Sequence, residues 1–227
     1  MLSLGRSSSG VAKATYSQAK FAGDSFSGSV TADSAQRLWR VIGVCSVLLV
    51  GTWLRFDRLS SYPPGIFHDV AYNGSDILDV LAGRLSIFFP ANNGREPLFI
   101  YLQAATVAMF GPTAFGLRVA SAVSGVLTIA VVFRWARGWF SYRIGLFAAA
   151  TLATLLWHVN LSRIGLRVIT LPLSTTLTFY LLSRAIQRQR ASALALAGLS
   201  GGIAAYTYIA SRLMAPLALL FVAAELM

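Results

Sequence analysis

Residues 97–111, PLFIYLQAATVAMFG, decide how this 227-residue chain is folded. Pro97 suits a first helical turn and the Gly111-Pro112 pair a break, so the stretch is bounded tightly at both ends. As a helix its 15 residues measure about 22 Å, against a hydrocarbon core of about 30 Å. It is therefore either a short span or a helix lying in the membrane interface. The other apolar blocks run over 38–56, 115–135, 142–161, 166–184, 191–210 and 213–227.

The basic residues separate the two readings through the positive-inside rule. With 97–111 in the interface and the N-terminus cytoplasmic, the acid-free groups Arg134/Arg137/Arg143 and Arg184/Arg188/Arg190 both face the cytoplasm, and the inner side holds 11 basic residues to 8 outside. With 97–111 spanning, those groups move outside and the count becomes 9 to 10. The expectation is an all-α, multi-pass membrane protein of about six spans, with an extracytoplasmic loop at 57–114. The last block, Leu213 to Met227, ends without flanking polar residues, which predicts a chain truncated inside a span.

Composition agrees. At 56% hydrophobic and 12% charged, the chain has too little polar surface to cover a soluble core. The net charge is +11, but the arginines are scattered at the ends of apolar blocks rather than clustered among exposed aromatics, which speaks against nucleic acid as a partner. The single Cys45 supports no disulfide or metal framework. Residues 1–37 are rich in Ser, Gly and Ala and lack an apolar signal-peptide core, so they read as a disordered cytoplasmic tail. The block 38–56 then acts as an uncleaved signal anchor.

Five of the eight carboxylates lie between Asp57 and Glu96, within the predicted loop. On a helix Asp69, Tyr72, Asn73 and Asp76 share one face, while Val70, Ile77, Leu78 and Leu81 fall mostly on another, suited to the membrane surface. Asp69 is placed either as a helix N-cap or as a general base toward a hydroxyl. Glu96 stands where it would cap the helix opened by Pro97; Arg95 is placed to bind phosphate or to pair with Asp69. Arg163 and Arg167, one helical turn apart, suit a phosphate or an interfacial anchor. His158 reads more readily as a satisfied interfacial histidine than as a ligand. The run Tyr206-Thr207-Tyr208 with Arg212 reads as an aromatic belt with its anchor, or as part of a donor site.

Taken together, Asp69 with Ala71-Tyr72-Asn73, the run Gly94-Arg95-Glu96-Pro97-Leu98-Phe99-Ile100-Tyr101, then Phe110-Gly111-Pro112, Arg118 and Ser162-Arg163-Ile164-Gly165-Leu166-Arg167 resemble the N-terminal half of GT-C-fold membrane glycosyltransferases. The relevant branch is related to protein O-mannosyltransferases and to the aminoarabinose transferase that modifies lipid A. The resemblance covers roughly 38–220 and implies a GT-C-like helical bundle with amphipathic helices in the first extracytoplasmic loop. It also implies inverting transfer of a sugar from a polyprenyl-phosphate donor to a hydroxyl of a glycan, lipid or protein, at the cell membrane. Asp69 matches the family's catalytic acid, Arg95 the basic residue near the donor phosphate, and Arg163 an arginine of the next outer turn. Tyr72, Asn73, Glu96, His158, Arg167 and Arg212 complete the expected substrate-binding set. Two positions depart from the family pattern: Val70 and Val168 stand where relatives often carry acids. The other reading is an inactive or binding-only remnant that recognises lipid-linked sugars. A transporter is disfavoured because the span interiors show no charges. No cofactor is expected, and a divalent ion would have at most Asp69, Asp76, Glu96 and His158 as ligands.

Overall fold

A computed structural model describes residues 34–226. The predicted tail therefore lies outside the described residues, apart from 34–37, which already belong to the first helix. That helix, α1, runs Ser34–Phe56. The chain divides inside α1 into two units, Met1–Cys45 and Ser46–Met227. Of the first, only the opening turns of α1 are described; everything below concerns the second.

After α1 come α2 (His68–Leu81), α3 (Pro97–Phe110), α4 (Ala114–Trp139), α5 (Tyr142–Thr154), α6 (Leu156–Ile164), α7 (Thr170–Arg188), α8 (Ala191–Ala204) and α9 (Met214–Leu226). Short 3-10 turns at Arg167–Ile169 and Ile209–Leu213 lead into α7 and α9. Among the described residues there is no strand, only an isolated antiparallel bridge between Phe89 and Arg95. The fold is all-α.

Among the described residues two helices are long and apolar enough to cross a bilayer, α1 and α4, and a third span results if the bent pair α5–α6 is counted as one. The block 142–161 is thus not one straight helix. It bends by 55° at Leu155, which is extended rather than helical. The carbonyls of Leu152 and Ala153 lose helical partners at this break, and the Arg55 guanidinium donates to both, at 3.4 and 3.0 Å. Irregular backbone at membrane depth is tolerated where protein satisfies it, and here a buried arginine does so.

Helix α4 is the hub, packed against α3, α5, α6 and α7. Its buried face is made of small residues, among them Gly116, Ala120, Ser121, Ser124 and Gly125, which let neighbouring backbones come close. A Cβ on Gly125 would stand 2.2 Å from Ser162 Oγ and 2.9 Å from Arg55 Nε. Gly125→Ala should therefore destabilise the fold by about 1–3 kcal/mol through overpacking, read as a lowered melting temperature in detergent. An unchanged melting temperature would mean that α6 can withdraw from α4 freely.

Helix α3 keeps the bounds that Pro97 and Gly111 set, and at 14 residues it is about 21 Å long. Phe99, Ile100, Gln103, Ala104 and Val107 are buried, while Leu102, Met109 and Phe110 are exposed. Helix α2 departs from its expected orientation. Val70 and Ile77 are buried with Ile100, Ala104, Val107 and Leu117 in a core shared with α3 and α4, so only Leu78 and Leu81 of the predicted membrane-facing set are exposed. Val70 is a packing position, and a carboxylate there would be buried among these side chains.

Candidate functional site

Three buried arginines organise the segment that follows α1. Arg118, near the start of α4, donates to the carbonyls of Leu59 (3.0 Å), Pro63 (2.9 Å) and Gly65. Arg163, at the end of α6, donates to those of Leu54, Asp57 and Tyr62 at 2.6, 2.6 and 3.1 Å, and lies over the Tyr62 ring. Arg55 donates to Gly51, Leu152 and Ala153 and to His158 Nδ1 at 2.7 Å. None of the three has a carboxylate partner among the described residues. Together they latch residues 54–65, the connection that leads into α2. The expectation that no charge is buried in the spans is corrected here: Arg55, 0% exposed, lies within α1, and Arg118 within α4.

The loop between α2 and α3 carries the acids. Phe89 and Arg95 exchange backbone bonds of 3.1 and 2.8 Å, closing a turn in which Asn92, Asn93 and Gly94 all take left-handed φ of 51°, 65° and 81°. Asn and Gly are the residues that tolerate that region. The turn points the Asn92 amide at Asp69, whose Oδ1 accepts from Nδ2 at 2.9 Å. His68 Nδ1 is 3.5 Å from the same oxygen, and the His68 ring meets Tyr72 edge-on at 4.9 Å. Asp69 keeps 48% of its side chain exposed. It sits in the first turn of α2, whereas the cap position belongs to Phe67 and carries no side-chain cap bond, so the N-cap reading of Asp69 is set aside.

Arg95 is 1% exposed and does not reach Asp69. It forms an ion pair with Asp76, donates to Asn73 Oδ1 at 2.5 Å and to the Ala91 carbonyl at 3.1 Å. Asn73 passes the network on: its Nδ2 donates to Gln103 Oε1 (2.8 Å), and Gln103 Nε2 donates to the carbonyls of Leu117 (2.6 Å) and Gly165 (3.3 Å). A chain of buried polar groups thus ties α2, α3, α4 and the end of α6 together, with each member satisfied.

Arg163 and Arg167 do not share a helical face. Gly165, at φ 95°, ends α6 between them, and their guanidiniums go to different partners. Arg167 Nη1 pairs with Glu96 Oε2 at 2.8 Å and reaches the Gly94 carbonyl at 3.4 Å, while its guanidinium lies 5.5 Å from the Tyr208 ring centroid. Glu96 occupies the cap position of α3, but its carboxylate is turned to Arg167 instead of the helix N–H groups. Arg167 remains 22% exposed. Close by in sequence, Thr170 and Thr207 line an open apolar groove of about 310 Å³ between α3, α7 and α8, whose walls include Leu98, Leu102, Leu173 and Leu177.

His158 is buried against Arg55 instead of facing a ligand. A guanidinium only donates, so Nδ1 is the acceptor and the imidazole proton sits on Nε2, which is buried without a protein partner. Arg212 is exposed and makes no ion pair among the described residues. Among the described residues no three of His, Cys, Asp and Glu gather as metal ligands. Sequence reasoning passed over Asn92 and Gln103, and gave Arg55 and Arg118 no specific role. Gln103 carried a usable signal as an amide in the middle of the apolar block 97–111.

The described residues thus form an all-helical membrane protein with an acid-bearing loop braced by arginines. The family model for dolichyl-phosphate-mannose-protein mannosyltransferases matches residues 94–226, more than half of the chain, and the chain belongs to that family, which is one of membrane glycosyltransferases of the mannosyltransferase type. Arg95, Glu96, His158, Arg163, Arg167 and Arg212 fall inside the matched residues; Asp69, Tyr72 and Asn73 fall before them. No curated protein and no solved structure matches the chain.

Proposed function

We propose that this chain moves a sugar from a polyprenyl-phosphate donor to an acceptor hydroxyl on the extracytoplasmic side, by single displacement with inversion, Asp69 taking the hydroxyl proton as the oxygen attacks the anomeric carbon. The phosphate that leaves is neutralised by Arg167, with Arg212, exposed and five residues after the groove residue Thr207, as a second cation, and the prenyl chain occupies the apolar groove between α3, α7 and α8. One observation carries this reading. The turn at 92–96 holds Asp69 through Asn92 and Arg167 through Gly94 and Glu96, so the backbone anchors of base and cation are at most about 14 Å apart. Asp69 is also the loop acid with free acceptor capacity beside this turn, since Asp76 and Glu96 are both committed to arginines.

The test is transfer by the protein reconstituted in liposomes with polyprenyl-phosphate mannose and a peptide or glycan acceptor. Arg167→Gln should lower kcat/KM for the donor by roughly 10–100-fold, the worth of a charge-assisted contact. Donor crosslinking without any transfer would overturn the catalytic reading and leave the binding-only one.

A further inference from the structure

We propose that the end of the bundle remote from Asp69 holds an anionic phospholipid, with its phosphodiester among Arg134, Arg184 and Arg188 and an acyl chain in the apolar cavity beside them. A polar pocket of about 130 Å³ opens between the C-terminal turns of α4 and α7. Three arginines line it together with Trp135, Trp139 and Tyr180, and no carboxylate does. Arg134 is about 24 Å along α4 from Arg118, so this pocket is separate from the loop site.

Part of the pocket's lining is held by hydrogen bonds. Arg184 Nη1 donates to Tyr180 Oη at 3.1 Å and the guanidinium lies 5.7 Å from that ring, which holds the cation in place. Trp135 Nε1 donates to Ser183 Oγ at 3.0 Å, and its ring stacks on Phe179 with an interplanar angle of 20°. Arg134 and Arg188 are exposed and make no bond to protein among the described residues. Glu225, the one carboxylate on α9, makes no ion pair there either.

Trp135 and Trp139 also form one wall of a second cavity, about 400 Å³, whose other walls are Val132, Ala136, Phe140 and Phe221. A triple-arginine pocket sharing a tryptophan wall with a wholly apolar cavity matches an amphiphile: phosphate on one side, hydrocarbon on the other. Helix dipoles explain Arg188, in the last turn of α7, but Arg134 and Arg184 lie a turn farther in, where that effect has faded. The charge asymmetry of the sequence assigns this end to the cytoplasmic leaflet, where anionic lipids attract juxtamembrane arginines.

Native mass spectrometry of the full chain in neutral detergent tests the site, with phosphatidylglycerol and phosphatidylcholine as probes. Phosphatidylglycerol should be retained preferentially, and millimolar inorganic phosphate should not displace it. Arg134→Gln/Arg188→Gln, which removes only exposed side chains without protein partners, should lower its retention by roughly thirty-fold, at about fivefold per arginine. Equal retention of both lipids, full retention by the double variant, or displacement by inorganic phosphate (a free-anion site) would each overturn the proposal.

Discussion

Asp69→Asn is expected to lower sugar transfer by roughly 10²–10⁴-fold while leaving membrane insertion and melting temperature unchanged. The asparagine carbonyl still accepts from Asn92 Nδ2, so the turn at 92–96 keeps its anchor to α2. What is lost is the ability to take a proton. The side chain is half exposed, so its charge contributes little to the fold and its removal should cost little stability. Asp79→Asn is the matched control: that carboxylate pairs with Arg84 in an exposed contact rather than with the 92–96 turn, and transfer should be unaffected. Wild-type turnover by the Asp69 variant would remove Asp69 from the chemistry; equal losses in both variants would assign the effect to loop charge.

The sequence showed some of these elements and concealed others for physical reasons. The bounds of α3 were legible because Pro97 and Gly111 are local signals, independent of what the helix touches. The bend at Leu155 was not, because no Pro or Gly marks it; the carbonyls of Leu152 and Ala153 beside it are satisfied by Arg55, 97 and 98 residues earlier. The same distance effect hid the arginine latch. Arg55, Arg118 and Arg163 sit at the ends of apolar blocks, where surface anchors also sit, and only tertiary structure shows their Nη donors going to carbonyls of residues 51–65 and 152–153 and to His158, with Nε of Arg55 and of Arg163 left without a protein partner. The division of Arg163 from Arg167, by contrast, was written in Gly165, a residue that ends helices. On α2 the helical period placed Asp69, Tyr72, Asn73 and Asp76 on one face. Burial cuts across that face, since Asn73 is 3% exposed and faces Gln103, while Tyr72 and Asp69 stay open.

The fate of Arg95 is the sharpest difference between sequence and structure, and it yields the largest stability effect. Arg95→Met keeps the bulk of the side chain but leaves the Asp76 carboxylate and the Asn73 amide oxygen without their donor. Breaking a buried pair on one side costs about 3–5 kcal/mol, and because the Asp76 side chain retains 16% exposure the lower part of that range is expected. The measurement is equilibrium unfolding in mixed micelles. Arg95→Met/Asp76→Leu should recover most of the loss, since no unpaired charge then remains. Activity separates the bracing role that the structure shows from the phosphate-binding role expected from the sequence. If it acts by fixing α2 and the 92–96 turn, transfer should return with stability in the double variant, because Asn92 again holds Asp69. If it instead contacts the donor phosphate, the double variant will be stable and still impaired, with the defect confined to the KM for the donor. The burial of Arg95, at 1% exposure with both Nη groups engaged, argues for the first outcome.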